Sequence, residues 1–590
     1  MSQAEVKFES MSAAPPAPAA PARSKLIALA AYPARQCAYR VFNEVTLAAP
    51  EWNPDPELRA RLDGGVAFEA QVRAALATSH GDNFVDYSDA DLAPGDLIEA
   101  TVEAMNRGAS VVAGGRLPDD PAGRRTGKPD LLVRCEDRSD GRAGYRVGEI
   151  KGHTFLACGH GEWTGSLNAP RPSSMSYDST TALKADREAD VLQCAHYQRM
   201  LEACGFAAPG DRWTALVGTD TLGGDGTVGC VWVDLDFPRF RTYSASDPRG
   251  WKVRSAMVRY DHEFGFRLRV ADAASGPESV ALIEPIWQPE CDRCPWIEVC
   301  TPALVRDPSY AVGRLDRREW TALRACGIAS LDDLARLHTT AGGPGNWEHL
   351  ADYRGKVSHR TQWRSRLAGA AHCAELTRRN VRVERTTRGP IAVQRADIEI
   401  DLDAEFDRDA NYKDQVFLWG ARRHDRRSGE ITFRAFADWS DPTAGELTAA
   451  TFSMWDWLDR QVVEAEATQR SLAVYHYHDP ETRLLRAAAA AGRIDPVAVE
   501  AVIERCFVDL LTHVRANFFG VDGLGLKKIA AHAGFSWRDE DPGGLQCVQW
   551  FRASLSGDAA AEALRQRVIA YNADDLEATA VVRDWLTSAP

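Results

Sequence analysis

The stretch Gly127-Lys128-Pro129-Asp130-Leu131-Leu132-Val133, followed after a polar turn by Tyr145-Arg146-Val147-Gly148-Glu149-Ile150-Lys151, organises the first half of the chain. Each segment reads as a short strand with an acid at one end, and the Gly/Ser/Asp-rich residues between them read as a hairpin. That pairing sets Asp130 beside Glu149. Side chains alternate along a strand, so Lys151, two residues beyond Glu149, projects to the same face. Adjacent carboxylates offer hard oxygens to Mg2+ or Mn2+, and such a face then holds a metal, a phosphate and a polarised water.

Further along, Gln193-Cys194-Ala195-His196-Tyr197 begins a helix on which Gln193 and Tyr197, one turn apart, share a face. Upstream, Gly64-Gly65-Val66-Ala67-Phe68-Glu69 opens another amphipathic helix, and Glu69 is placed to supply a further acidic ligand. The Gly/Ser/Pro-rich run from His153 to about Ser179 reads as a flexible loop over the site. Singly these fragments decide little, because an E-x-K strand is usually a solvated edge and Q-x-x-x-Y commonly pairs a surface residue with a core one.

The chain has thirteen cysteines. In a cytoplasmic protein these are small buried hydrophobes or metal ligands, since disulfides do not persist there. Cys291, Cys294 and Cys300 stand close enough in sequence to converge on one metal centre, and Cys37 is the candidate fourth ligand. Zinc competes for four thiolates, although the spacing lacks a second C-x2-C pair. Four unrelated cysteines are the remaining alternative.

The serial order of these features resembles the RecB-like PD-(D/E)xK nucleases over the first half of the chain: a cysteine, a Gly-then-acid helix, G-x-x-D and E-x-K strands, a Q-x-x-x-Y helix and a closing C-x2-C-x5-C. The resemblance implies a restriction-endonuclease-like mixed sheet, with Asp130 and Glu149 binding metal, Lys151 orienting or activating water, and Gln193 and Tyr197 supporting the site. It also implies a 4Fe-4S cluster on Cys37, Cys291, Cys294 and Cys300. Many relatives carry His where this chain has Phe68-Glu69, which sets Glu69 apart from Asp130.

Past Cys300, the spacing of Trp320, Leu323, Gly327, Ile328, Leu331 and Leu334 predicts two short helices about a glycine turn, either a helix-hairpin-helix element or an ordinary connector. Arg360, Arg364, Arg366, Arg378, Arg379, Arg382 and Arg385 form either a basic strip for a phosphate backbone or a solvated helical face. In Ile398-Glu399-Ile400-Asp401-Leu402-Asp403-Ala404-Glu405 the apolar residues alternate to one face, so Asp401, Asp403 and Glu405 point to the other. Carboxylates side by side repel unless cations neutralise them, which makes a metal site the economical reading. A second strand at Val416–Gly420, a long helix near Met454 to Val463 and a strand from Leu472 that ends in acid at a helix start come next. Tyr571-Asn572-Ala573-Asp574-Asp575-Leu576 opens the last helix, with Tyr571 and Asp575 one turn apart.

This second succession, over Ile391 to Pro590, resembles the RNase H-like exonuclease domains of the YprB type, related to the DEDD nucleases. The resemblance implies two metals held by Asp403 and Glu405 on the first strand, an acid after a later strand and Asp575 on the last helix, with Tyr571 positioning water. Glu481 is favoured as the middle acid and Asp479 is its rival. The two halves together resemble a bacterial RecB-like nuclease family, which implies work in DNA repair, recombination or nucleic-acid processing.

The expected architecture is therefore α/β and multidomain: a disordered tail over 1–25, a PD-(D/E)xK domain over 26–305, a helical connector over 306–390 and an RNase H-like domain over 391–590. Hydrophobic residues at 45% and charged residues at 26% fit folded protein, and no apolar run is long enough for a bilayer. The formal net charge of -14 argues against a general nucleic-acid coat, but a nuclease needs clustered carboxylates and only a local basic track. Expected partners are DNA, RNA as a second possibility in the C-terminal half, and a helicase, since no G-x-x-x-x-G-K-[ST] loop is present. The alternatives are a single active half, a non-catalytic iron–sulfur binding or scaffold protein, and a metal-dependent nucleotide phosphatase.

Overall fold

The computed structural model describes residues 27–166, 172–221, 228–339, 350–408, 414–442, 448–540, 543–557 and 560–588. The tail expected over 1–25 lies outside them. No helix is long and apolar enough to cross a membrane among the described residues.

Among the described residues twelve strands precede the connector: β1 (Phe84–Asp86), β2 (Val111–Ala113), β3 (Leu131–Arg134), β4 (Tyr145–Ile150), β5 (Leu156–Cys158), β6 (Glu162–Ser166), β7 (Ser176–Asp178), β8 (Thr181–Leu183), β9 (Trp213–Thr221), β10 (Val228–Asp234), β11 (Phe240–Tyr243) and β12 (Trp251–Arg254). Eight of them form one mixed sheet in the order β1-β2-β3-β4-β9-β10-β6-β7. β3 and β4 are the expected antiparallel hairpin, and β4 then runs parallel to β9. Val147, Leu132 and Leu216 pack one face of the sheet, while Leu131, Val133 and Val217 pack the other against Phe68 and Val72. Helices cover both faces, which is why β3, β4 and β9 read as nearly continuous apolar runs.

Three sequence expectations change here. The run from His153 is not a loop over the site: it supplies β5 to β8, and β6 and β7 extend the main sheet by cross-strand pairing. The helix bearing Glu69 starts at Pro56 rather than Gly64, because Asp55 caps it by accepting from the Leu58 amide at 2.7 Å. The helix bearing Gln193 likewise starts earlier, at Glu188.

The connector has its own core of Trp320, Leu323, Leu334, Tyr353 and Leu367. Two short helices, Arg317–Ala325 and Leu331–Thr339, flank Gly327, whose φ of +79° is left-handed and suits glycine. The basic strip is not an open one. Arg366 pairs with Glu319, Arg360 with Asp316, Arg378 with Glu375, Arg379 with Glu384 and Arg382 with Asp522.

The remaining strands are β13 (Val383–Arg385), β14 (Ile398–Arg408), β15 (Asp414–Asp425), β16 (Ile431–Ala437), β17 (Leu472–His476), β18 (Phe507–Asp509) and β19 (Phe518–Gly520). Five of them form a sheet in the order β16-β15-β14-β17-β18, antiparallel across the first three and parallel across the last three. The closing helix, Ala561–Ser588, lies against β14 and β15. Tyr571 therefore sits in mid-helix and does not open it, as the sequence had suggested.

Candidate active sites

β14 is covered on both sides. Ile398, Ile400, Leu402 and Ala404 enter a core with Met454, Trp457 and Leu485, while Glu399, Asp401, Asp403 and Glu405 alternate to the other side. That row of acids divides in two. Asp401, expected among the clustered metal-site acids, is neutralised by Arg583 and by Arg422, whose Nη1 lies 3.0 Å away. Glu399 pairs with Arg395 at 2.6 Å and with Arg583 at 3.6 Å. Two turns earlier on the closing helix, Asp575 faces Asp403 and Glu405 instead, and carboxylate oxygens of these three lie within 4.8 Å of one another. Among the described residues this is the one group of three or more potential ligands that converges so closely.

Neighbouring donors hold the group in place. Asn572 Nδ2 donates to Asp403 Oδ2 at 2.7 Å, and it reaches there because Gly420 stands opposite Asp403 in the β14–β15 register, where a Cβ would overlap the Asn572 amide. Trp537 Nε1 donates to Asp575 Oδ1 at 2.7 Å, and the Cys547 thiol lies against Glu405. Burial, reinforced by the other acids, pushes Asp403 and Glu405 well above the usual carboxylate range. Asp575 is raised by burial as well, against the pull of Trp537 and Lys527. Lys527 Nζ lies 5.1 Å from the centre of the Tyr571 ring, and its charge reaches both Glu405 and Asp575.

Glu481 is buried 3.5 Å from His476 Nδ1, and its charge raises Asp403 further. Asp479 turns away, 66% exposed and paired with His478 at 2.6 Å. Of the two middle acids weighed, Glu481 is thus the one the fold brings toward the group.

Residues 402–587 match the RNase H superfamily. The C-terminal unit is therefore an RNase H-like domain, and with its carboxylate group it suggests a metal-dependent nuclease. No curated protein and no solved structure matches the chain. Within the RNase H-like domain, sequence reading missed Asn572, Trp537, Lys527 and Cys547. Only Asn572 carried a signal, three residues before Asp575 on a helix and hence one turn from it.

In the N-terminal unit β3–β4 pairing places Asp130 and Glu149 side by side, with Lys151 between their carboxylates: Nζ is 2.7 Å from Glu149 Oε2 and 3.3 Å from Asp130 Oδ2. Asp130 Oδ2 also accepts from the Ile150 amide at 2.8 Å. Burial, together with Asp130, pushes Glu149 well up, against the pull of Lys151. Burial would lower Lys151, but Glu149 and Asp130 overrule it and hold the amine protonated. Glu69 reaches the same neighbourhood, raised by burial and by Asp130. Gln193 and Tyr197 are both buried here, the Gln193 Oε1 without a hydrogen-bond partner. The Tyr197 ring fills the space a Cβ at Gly127 would take. Sequence reading missed Asp190, which pairs with His153 at 3.2 Å and Arg35 at 3.3 Å and lies within the electrostatic reach of Lys151.

One residue of the Gln193 helix has a purely structural part. His196 is wholly buried, with Nε2 3.1 Å from the Thr126 carbonyl and Nδ1 2.9 Å from the Tyr260 hydroxyl. Burial lowers its pKa from 6.5 to about 3. The unfolded chain then binds a proton below pH 6.5 that the folded chain refuses until about pH 3, so stability falls with pH across that window, by roughly 1.4 kcal/mol per unit. His196→Gln should lower stability at pH 7 yet flatten this slope in urea melts between pH 7 and 4; an unchanged slope would assign the acid sensitivity elsewhere.

The four cysteines singled out by spacing occupy one neighbourhood. Cys37 precedes the helix Ala38–Thr46, Cys291 lies in the short turn Pro289–Arg293 with Cys294 just after it, and Cys300 is in the helix Ile297–Leu304. Burial pushes Cys291 up to about 12, and the Cys37 and Cys294 charges add to it. Donors already face the sulfurs: Arg317 Nη2 at 3.0 Å from Cys37, the Gln288 amide at 3.4 Å from Cys291 and Asn43 Nδ2 at 3.6 Å from Cys300. A cavity of about 340 Å³ opens beside Cys37 and Cys294, edged by Arg40 and Arg293.

Proposed function

We propose that the chain is a nuclease that hydrolyses phosphodiester bonds in DNA, with RNA as an additional substrate of its RNase H-like domain. The observation that carries this reading is the convergence of Asp403, Glu405 and Asp575 in a domain that matches the RNase H superfamily. Three carboxylates with raised proton affinity, Glu405 and Asp575 buried and Asp403 half-buried, fit a hard divalent cation and would hold Mg2+ or Mn2+, with Glu481 nearby as a further acid. When bound, the cations supply an activated water and neutralise the charge that builds on the phosphate. Trp537 and Asn572 orient the carboxylates, and Tyr571 is placed one turn from Asp575 to position the water.

The N-terminal unit is proposed as a second, RecB-like site. Supporting it are the Asp130–Lys151–Glu149 bridge, the nearby Glu69, and Gln193 and Tyr197 at one turn's spacing. Lys151 holds its proton and would orient water or a phosphate oxygen beside the two acids. The four cysteines are proposed to hold a 4Fe-4S cluster. Supporting it, three of the sulfurs face N–H donors: Cys37 accepts from Arg317, Cys291 from the Gln288 amide and Cys300 from Asn43. Partner helicase, repair role and cytoplasmic location are part of the same proposal.

The test is direct. Full-length protein purified anaerobically is incubated with end-labelled single- and double-stranded DNA and RNA in Mn2+ or Mg2+, beside Lys151→Ala. Wild type should cleave, and Lys151→Ala should lose only the products of the N-terminal site, by about 10²-fold or more. Intact substrate after incubation with folded, metal-loaded wild type would overturn the reading.

A further inference from the structure

Several cations around the RNase H-like carboxylate group are paired with other acids. Arg538 meets Asp574, Arg552 meets Asp407 at 2.6 Å, Arg567 meets Asp539 at 2.7 Å, and Arg583 meets Asp401. Lys527 differs. Among the described residues it has no carboxylate within 4.0 Å of Nζ and lies instead against two rings, 5.1 Å from the centre of Tyr571 and 5.9 Å from that of Trp537. Those rings flank Asp575: Trp537 Nε1 donates to Asp575 Oδ1 at 2.7 Å, and the Tyr571 hydroxyl bonds the same carboxylate from one helical turn earlier. The ammonium thus stands on the Asp575 side of the group, and its charge draws the proton affinity of both Glu405 and Asp575 down against burial.

The fold fixes Lys527 in this place. It is the second residue of the helix Leu526–His532, whose Ile529 and Ala530 enter one core with Ala578 and Val582 of the closing helix. The Tyr477 hydroxyl donates to the Leu524 carbonyl, which ties the segment before that helix to the residue just after β17, next to His476 and its partner Glu481. Lys527 and Asp403 are half-buried, while Glu405 and Asp575 are buried, so solvent reaches the group at Asp403 and reaches the ammonium as well.

An ammonium has three N–H donors, and one in contact with water and no acid has donors to give to an incoming anion. Clustered carboxylates attract a metal but repel a phosphate, and a fixed positive charge on their flank offsets that repulsion. Lysine suits the task because it meets phosphate oxygens as a compact point charge, without the planar geometry that an arginine fork imposes. We infer that Lys527 is a further catalytic residue of the RNase H-like site: its ammonium donates to a non-bridging oxygen of the phosphodiester being cut and offsets part of the charge that builds there. The inference rests on the proposed nuclease reading for the identity of the anion; the position of the ammonium beside Asp575 does not.

Two measurements on the full-length protein test it. In the first, wild type is acetylated with acetic anhydride, with and without single-stranded oligothymidylate, and each lysine is read by mass spectrometry. Ca2+ replaces Mn2+ so that the strand is held and not cut. With the strand at about ten times its Kd or more, Lys527 should react about tenfold more slowly, as mass action requires of a contacted amine, and its exposed neighbour Lys528 much less so. In the second, Lys527→Met is compared with its parent in a Lys151→Ala background, which removes the products of the N-terminal site. At saturating Mn2+ its kcat/KM should fall by about 10²-fold, the effect of losing one charge-stabilising donor. Lys527→Arg keeps the charge and should stay within about tenfold of the parent. Mn2+ affinity without nucleic acid, read from the free-ion EPR signal, should not weaken in Lys527→Met, because no ligand has been lost. A lysine that served only as counter-charge to the acids would shift Mn2+ affinity and leave kcat/KM at saturating Mn2+ unchanged. An unprotected Lys527 overturns the inference, and so does a Met variant that cleaves within about threefold of its parent. Protection of Lys527 in a protein that cleaves nothing would keep the phosphate contact and reject the nuclease reading, so the two fail separately.

Discussion

Asp403→Asn should abolish cleavage by the RNase H-like domain, by about 10³-fold or more, while leaving the domain folded. Metal-assisted stabilisation of a phosphoryl transition state amounts to several kcal/mol, and each 1.36 kcal/mol is a factor of ten. The amide retains an oxygen to accept from Asn572, so the local geometry survives. The stability change has the opposite sign to the usual mutational one. Asp403, Glu405 and Asp575 have folded-state pKa values raised by burial and mutual repulsion, so ionising them at neutral pH opposes folding. Removing one charge should therefore raise the metal-free melting temperature. Wild type should in turn gain about 2.7 kcal/mol from Mn2+ at a hundred times its Kd, and Asp403→Asn little of this. A variant that keeps both cleavage and the Mn2+ shift would remove Asp403 from the site.

Arg583→Met should cost roughly 3 to 5 kcal/mol of stability, read as a shift of the urea midpoint. Arg583 is 1% exposed and pairs with both Asp401 and Glu399, themselves wholly buried. Breaking a buried pair strands the opposite charge in a medium that solvates it poorly. Burial already raises Asp401 to about 6 despite Arg583 and Arg422, so without Arg583 it would be protonated or would unfold the strand locally. Arg583→Met/Asp401→Leu should recover part of the loss, because Asp401 is then no longer stranded and Glu399 keeps Arg395, while Arg422 loses its carboxylate. If the double variant is no better than the single one, Arg583 stabilises by packing alone.

These two results test opposite uses of one strand. Glu399, Asp401, Asp403 and Glu405 are indistinguishable by alternation, which put Asp401 on the face of the metal-site acids; only the family resemblance singled out Asp403 and Glu405. The closing helix separates them, since Arg583 and Asp575 are eight residues apart, about two turns, and so meet different ends of the row.

What the sequence by itself determined is local. The β3–β4 hairpin with Asp130 and Glu149 abreast, the Gln193 and Tyr197 spacing, the alternation along β14 and the Tyr571–Asp575 turn all follow from periods of two and 3.6 residues, which side-chain geometry imposes at short range. The fold brings Glu481 toward the group and leaves Asp479 exposed, a difference their spacing alone did not settle. Tertiary structure alone decided the rest. Trp537 reaches Asp575 across 38 residues, Arg317 reaches Cys37 across 280, and the run from His153 holds strands that pair with one another and, through β6, with the edge of β10. It also decided which cations are spent: Arg360 and Arg366 are paired by Asp316 and Glu319 from another helix of the connector, and Arg382 by Asp522 from the C-terminal unit. Charge compensation depends on distance in space, and a single sequence records distance only along the chain.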